Sequence, residues 1–431
     1  MYARRSNGTR RGIVGDVGRG LLAAAVLACA GAAGAQTPRE GVVCTAGTVA
    51  GTTRTFSLTA QAGYVSLPDG TTAYMWSYSE AGAPFQHPGP VLCANEGETV
   101  TVVLGNALPA ADVSIVFPGQ EDVLANGAPA QPQFDAGGEL TSLTNVAARN
   151  GGSVTYAFVA SRPGTFLYES GTAPHQQVRM GLFGALVVRP ARGATFAFGR
   201  ADSEFAAGEE FMVLLSEIDP IQHQAVERGL PFDMRNYHPR YWFVNGRGFP
   251  DSVADNGATW LPTQPYGALA RIHPKPPGTL PGMIRYLNVG TEDFPFHPHG
   301  NNGLVIGRDG NPLEGPAGED LSFEKFAINI GPGQTWDVVF RWWDAEAYTA
   351  QNFPIVVPDL ANVTLGMFYS GSPFLGDSKP LPPGVSTLNQ CGEYWIISHN
   401  HALYQITSWG VNMTGPITYL RIDPPLPNNC Q

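Results

Sequence analysis

Short apolar runs with a two-residue alternation dominate the chain. Residues 100–104, 153–159, 182–188, 211–215, 241–244, 283–287, 326–330 and 335–340 are each rich in β-branched and aromatic side chains. Glycine, proline or polar turn residues bound each run. That pattern predicts strands rather than helices. No long stretch carries the 3.6-residue period of an amphipathic helix. The expected fold is all-β, built as sandwiches or barrels. A turn-rich stretch at 191–208 separates two strand-rich blocks, so the expected domains are 36–190 and 209–425. Residues 345–390 interrupt the second block. They are rich in proline, glycine and serine and read as a long excursion.

Composition sharpens this picture. The chain holds 52 glycines and 37 prolines, and only 14% of its residues are charged, as many short strands and tight turns require. Residues 1–35 read as a signal peptide. Arg4, Arg5, Arg10 and Arg11 precede the apolar run 21–33, and Ala33-Gly34-Ala35 is a small-residue cleavage site. Residues 9–14 also fit a twin-arginine export signal. The expected location is periplasmic or secreted. Cys29 follows a poor lipobox, so lipid anchoring there is the lesser expectation. No other segment is apolar for long enough to span a bilayer. The formal charge is −11, and the leader holds five arginines and one aspartate, which leaves −15 for the mature part. Such a balance argues against a nucleic-acid partner. Cys44, Cys93, Cys391 and Cys430 remain after the leader. An even count in an exported chain predicts two disulfides with three connectivities open. Cys44–Cys93 with Cys391–Cys430 is favoured, because each pair then lies within one expected domain.

Candidate chemistry centres on His297-Pro298-His299 and His399-Asn400-His401, which hold four of the nine histidines. On a strand, residues i and i+2 share a face. Each pair therefore offers two imidazoles in one direction, and imidazole is the commonest metal side-chain ligand. His87, His223, His238 and His273 carry no such spacing. The alternating Tyr74, Trp76 and Tyr78 read as packing, as do Trp342 and Trp343. No glycine-rich phosphate loop and no nucleophile elbow is present.

Several segments in order resemble the multicopper oxidases, the laccase-like family of the cupredoxin fold. Residues 88–102 (PGPVLCANEGETVTV) resemble the opening of a first domain. Residues 163–171 (PGTFLYESG) and 180–188 (MGLFGALVV) resemble its closing strands. Residues 287–300 (LNVGTEDFPFHPHG), 330–339 (IGPGQTWDVV) and 394–401 (YWIISHNH) resemble the copper motifs of a last domain. Only two domains fit, as in the two-domain branch, so the resemblance implies an all-β chain of two cupredoxin-like Greek-key β-sandwich domains. That branch implies a homotrimer with a copper cluster between neighbouring chains.

The same resemblance marks departures. Asn400 stands where the family carries the copper-binding cysteine. Gln405 and Phe294 stand where it carries the two accompanying histidines. Met413 lies near the usual axial region. In the first domain Val116, Pro118, Glu169 and Gly171 occupy the four histidine positions of the trinuclear cluster. His297, His299, His399 and His401 retain the other four. The expectation is an exported copper-binding relative with a reduced, histidine-only site holding one or two coppers per chain. It would be an oxidoreductase at most, without laccase-type four-electron reduction of dioxygen. Glu169 would face a neighbouring chain's histidines as a ligand or general base, and His175 would be a fifth ligand or a surface histidine. Two alternatives stand beside this: a non-catalytic copper carrier or structural assembly protein, and an enzyme using iron, manganese or zinc. The sequence does not identify a substrate.

Overall fold

Each run whose pattern predicts a strand lies on one in the computed structural model, which describes residues 38–274, 278–342, 394–410 and 413–423. The leader, the 345–390 excursion, Trp343 and the Cys391–Cys430 pairing lie outside the described residues. Thr99–Asn106 alternates half-buried and buried positions, the mark of a sheet with one covered face. Gly282–Asn288 is buried at every position, because both of its faces are covered.

The fold is all-β and cupredoxin-like, with four main sheets and a separate two-stranded sheet among the described residues. The first half folds as a seven-stranded and a four-stranded sheet. Phe56, Val102, Tyr156, Phe166 and Leu186 fill the core between them. The second half folds as a seven-stranded and a five-stranded sheet. Its core holds Phe211, Ile284, Val338, Phe296, Ile396 and Leu420. The outer face of the four-stranded sheet (Val91, Leu167, Phe183, Val187) then packs on Met212, Leu214 and Leu287 of the second half. Trp76 and Tyr78 lie in the first core, and Met75 packs against Ile218 and Phe243. Cys44 and Cys93 form a disulfide. Among the described residues no helix is long and apolar enough to cross a membrane.

Buried charge ties the halves together. Arg285, fully buried, donates from Nε to Glu210 Oε1 at 2.6 Å, and from Nη1 to Thr165 Oγ1 at 2.7 Å and Asp337 Oδ1 at 3.2 Å. Arg189 grips Glu210 through both terminal nitrogens. Thr165 and Arg189 come from the first half, and the other three from the second. Burial raises the Glu210 carboxyl, but the two guanidiniums outweigh it and the net shift is downward. At Asp337 burial outweighs Arg285, so its pKa is raised. Removing one partner leaves the others charged and unpaired in a dry interface. Asp337→Ala is expected to cost about 3–5 kcal/mol of stability, read as a drop in the denaturant midpoint. A loss under ~1 kcal/mol would contradict this account.

Two more buried groups meet at the same interface. His223, in the helix Pro220–Glu227, places Nδ1 2.6 Å from the Tyr74 carbonyl oxygen. His87 is wholly buried and packs edge-on to Phe183. Burial, then His223, pushes the His87 pKa down to about 3, and burial pushes His223 down to about 4. Both rings are thus neutral in the fold, whereas in the unfolded chain they take up a proton below their ordinary pKa of 6.5. Between pH ~6.5 and ~4 the unfolded chain binds the extra protons, so stability falls as pH falls, by about 1.4 kcal/mol per pH unit per ring. Urea midpoints measured from pH 7 to pH 4.5 should show this slope, and His223→Gln should flatten it. An unchanged slope in that variant would remove His223 from the explanation.

Candidate metal centre

Two antiparallel strands, Phe294–Pro298 and Tyr394–Asn400, position the histidines. Their register sets His297 directly opposite His399. Phe294, Phe296, Ser398 and Asn400 point into the interior and are buried. His297 and His399 stand on the other face, and His299 and His401 follow where each strand ends. Ring centroids are 4.5 Å apart for His297 and His299, 5.0 Å for His299 and His399, 5.4 Å for His399 and His401, and 5.5 Å for His297 and His401. The four imidazoles therefore form one cluster from both motifs. It borders an open pocket of about 390 Å³ lined by His297, Pro298, His299, Gly300, Asn301, Asn302 and Phe326.

Backbone carbonyls orient two of the rings. His297 Nδ1 lies 2.7 Å from the Phe326 oxygen, and His399 Nδ1 lies 2.7 Å from the Asn400 oxygen. A carbonyl only accepts, so each Nδ1 carries the proton and each Nε2 keeps its lone pair. This is the tautomer that second-shell carbonyls impose on metal-binding histidines. Burial, followed by the neighbouring rings, holds the His399 pKa down at about 4 despite the Asn400 hydrogen bond. Burial and then His297 and His401 lower that of His299. Both can therefore be neutral, as ligation requires.

His299 Nε2 and His399 Nε2 are 3.0 Å apart. Two imidazole nitrogens each about 2.0–2.1 Å from one metal ion stand at roughly that separation. As they lie, however, no group of three or more His, Cys, Asp or Glu side chains among the described residues is arranged to hold a metal. A metal would have to open the His299–His399 contact. The donor chemistry fits a histidine-bound copper or zinc ion.

The positions of the thiolate copper do not fit that ion. Phe294 is fully buried in the second core. Asn400 Nδ2 donates to Gln405 Oε1, and Gln405 Nε2 donates to Glu292 Oε2 at 2.7 Å. Met413 packs beside Phe249, Leu269 and Tyr419. Hydrogen bonds and apolar packing occupy the space that copper would need.

The first-half positions are likewise filled. The Val116 and Glu169 backbones pair with each other at 2.8 and 3.2 Å. A side chain at Gly171 would collide with Val116 Cγ1 at 2.8 Å. Pro118 is exposed. Burial raises the Glu169 carboxyl, and no hydrogen bond or ion pair among the described residues joins it to the four histidines within the chain. His175 is exposed on the helix Pro174–Met180. His238 packs on Trp409, and His273 lies between Glu209 and Asp423. Sequence spacing gave no hint of Glu292, 113 residues from its partner Gln405. The usable signal was Asn400 itself, a polar residue on the inward face of a strand, which needs a buried partner.

Comparisons with known proteins agree with this architecture. Residues 59–193 match a family model described as multicopper oxidase. A putative laccase-11 of Oryza sativa subsp. japonica is 25% identical over 291 residues, covering 66% of this chain and 46% of its own. An L-ascorbate oxidase of Cucumis sativus is 31% identical over 175 residues, covering 39% and 26%. The chain spans less than half the length of these relatives. Among solved structures, the multicopper oxidase mgLAC aligns with a TM-score of 0.55 and 17% identity over 86% of both chains. A blue copper oxidase from Nitrosomonas europaea aligns with a TM-score of 0.53 and 17% identity, again over 86% of both. At these identities the structural likeness speaks for the fold.

Proposed function

We propose, for a chain that belongs to the multicopper oxidase family of the cupredoxin fold, that it is an exported copper protein with one histidine-only site. The observation that carries this reading is the cluster of four imidazoles, two of them fixed by carbonyls so that Nε2 keeps its lone pair. His297, His299, His399 and His401 would hold the ion. Copper so held supplies one-electron redox chemistry without an intense thiolate band. The protein's own part is to keep the rings neutral, aim Nε2, and leave one side open through the pocket beside Phe326. Asn400, Gln405 and Phe294 support the absence of an electron-entry copper. Val116, Pro118 and Gly171 support the absence of a full trinuclear cluster. A direct oxidoreductase follows better than a laccase-type oxidase. A histidine relic without metal is the second reading, favoured by the unopened His299–His399 contact.

A trimer would complete the site. The hairpin strands Gln133–Phe134 and Leu140–Ser142 carry exposed Phe134 and Leu140, with Leu143 exposed beside them. Leu143 also borders Gly171. Phe326 is exposed beside His297. These apolar surfaces support head-to-tail contact between chains, which would carry Glu169 toward a neighbour's histidines.

Elemental analysis of protein from its own compartment should find about one or two coppers per chain. His297→Ala and His399→Ala should each lose them. No metal, and none taken up on reconstitution, would leave the relic reading; iron, manganese or zinc in its place would favour the other metalloenzyme. Light scattering of the purified protein should give three times the chain mass, and a monomer at micromolar concentration would end the trimer proposal.

A further inference from the structure

We infer that Glu292, Gln405 and Asn400 form a positioning network that does by hydrogen bonding the structural work of the copper whose ligand positions Asn400 and Gln405 take, and that it sets the aim of His399. The inference rests on the copper reading for its consequence, but its structural half can be read without metal.

The direction of every bond in the network follows from one donor. The indole nitrogen of Trp242 can only donate, and it donates to Glu292 Oε2 at 2.9 Å. Tyr404 donates to the same oxygen at 3.3 Å. That oxygen is an acceptor, so Gln405 must turn its Nε2 toward it, at 2.7 Å. Gln405 Oε1 is then left facing Asn400, which must offer Nδ2. Asn400 is wholly buried. Its backbone nitrogen donates to the Pro416 oxygen at 3.0 Å, while the next residue, His401, donates to the Pro295 oxygen at 2.8 Å. The Asn400 peptide is thus held from three sides, and its carbonyl receives His399 Nδ1. Without the side-chain anchor this peptide can tilt, and His399 loses the acceptor that fixes its tautomer.

The network joins separate parts of the chain. Trp242 lies on Tyr241–Val244, Glu292 on the loop before Phe294–Pro298, and Gln405 on the short helix Leu403–Ile406. A metal ion at the Phe294, Asn400 and Gln405 positions would link the two site strands to that helix. The Gln405 amide, held between the Asn400 amide and the Glu292 carboxylate, keeps that link and adds no redox centre.

The test breaks the hub in the full chain. Trp242 and Tyr404 hold an acceptor at the Glu292 Oε2 position, so Glu292→Gln, with its amide oxygen there, keeps the network and is the conservative control. Gln405→Glu sets two carboxylates together, and Gln405→Leu removes both contacts. With Cu(II) alone as the probe, Gln405→Glu and Gln405→Leu should each bind about 10–100-fold more weakly and show altered copper hyperfine splitting by electron paramagnetic resonance, whereas Glu292→Gln should match the parent. In metal-free protein, imidazole 15N shifts should report Nδ1–H at His399 in the parent and in Glu292→Gln, and a tautomer mixture in the two Gln405 variants. Near-UV circular dichroism checks that each is folded. Folded Gln405 variants with the parent's copper affinity and His399 tautomer would overturn the inference. If the parent takes up no copper, the proposed function fails and the tautomer measurement alone decides this one.

Discussion

A slip of one residue between Phe294–Pro298 and Tyr394–Asn400 would put the two histidine pairs on opposite faces, turning one pair into the core and exposing either Phe296 or Asn400. The register that sets His297 opposite His399 is therefore the constraint on which the site depends. It is enforced from the inward face. Phe294 and Phe296 pack among Ile328, Ile330 and Ile396, where an imidazole would have no partner. Asn400 is tolerated there because Gln405 Oε1 accepts from its Nδ2 and Glu292 in turn holds Gln405. The outward face inherits four rings within ring-contact distance as a consequence.

Polar groups in the interior obey the same rule elsewhere. Arg285, Glu210, Asp337 and Arg189 lie between sheets that otherwise meet through Leu167, Phe183, Met212 and Leu287. Apolar burial draws the halves together without direction. The charge network adds direction, since Thr165 and Arg189 of the first half must meet Arg285 and Glu210 of the second. The cost of unpaired buried charge thus fixes how one half stands on the other, as unpaired amides fix strand register at the site.

At the positions where the resembled motifs carry metal ligands, this chain fills the space by two different means. In the second half the filling is polar and connected, through Asn400, Gln405 and Glu292. In the first, Val116 fills the space beside Gly171, and the Glu169 backbone pairs with that of Val116. None of Val116, Pro118, Glu169 and Gly171 offers an imidazole, whereas the second half carries four on the opposite face of the same strands. The filling of the inward positions therefore leaves the geometry of the outward rings in place.

Most of the fold was legible in the chain, because alternation and turn residues are local signals. The strands at 153–159, 241–244 and 335–340 form with the bounds that their patterns predict, and 326–330 shortens to Ile328–Ile330. The histidine pairs were legible too, since spacing on a strand decides which side chains share a face. The sequence by itself determined an all-β chain and two pairs of imidazoles, and that no cysteine stands at Asn400 and no histidine at Phe294, Gln405, Val116, Pro118, Glu169 or Gly171. Only the tertiary structure decided that the two pairs meet, that carbonyls accept hydrogen bonds from Nδ1 of His297 and His399, and that Glu292 anchors Asn400 through Gln405. It also placed His87 and His223, whose positions carried no pattern, at the buried seam between the halves. These are contacts between residues up to about a hundred or more positions apart, set by sheet register and by the pairing of buried polar groups. Local periodicity carries no record of either.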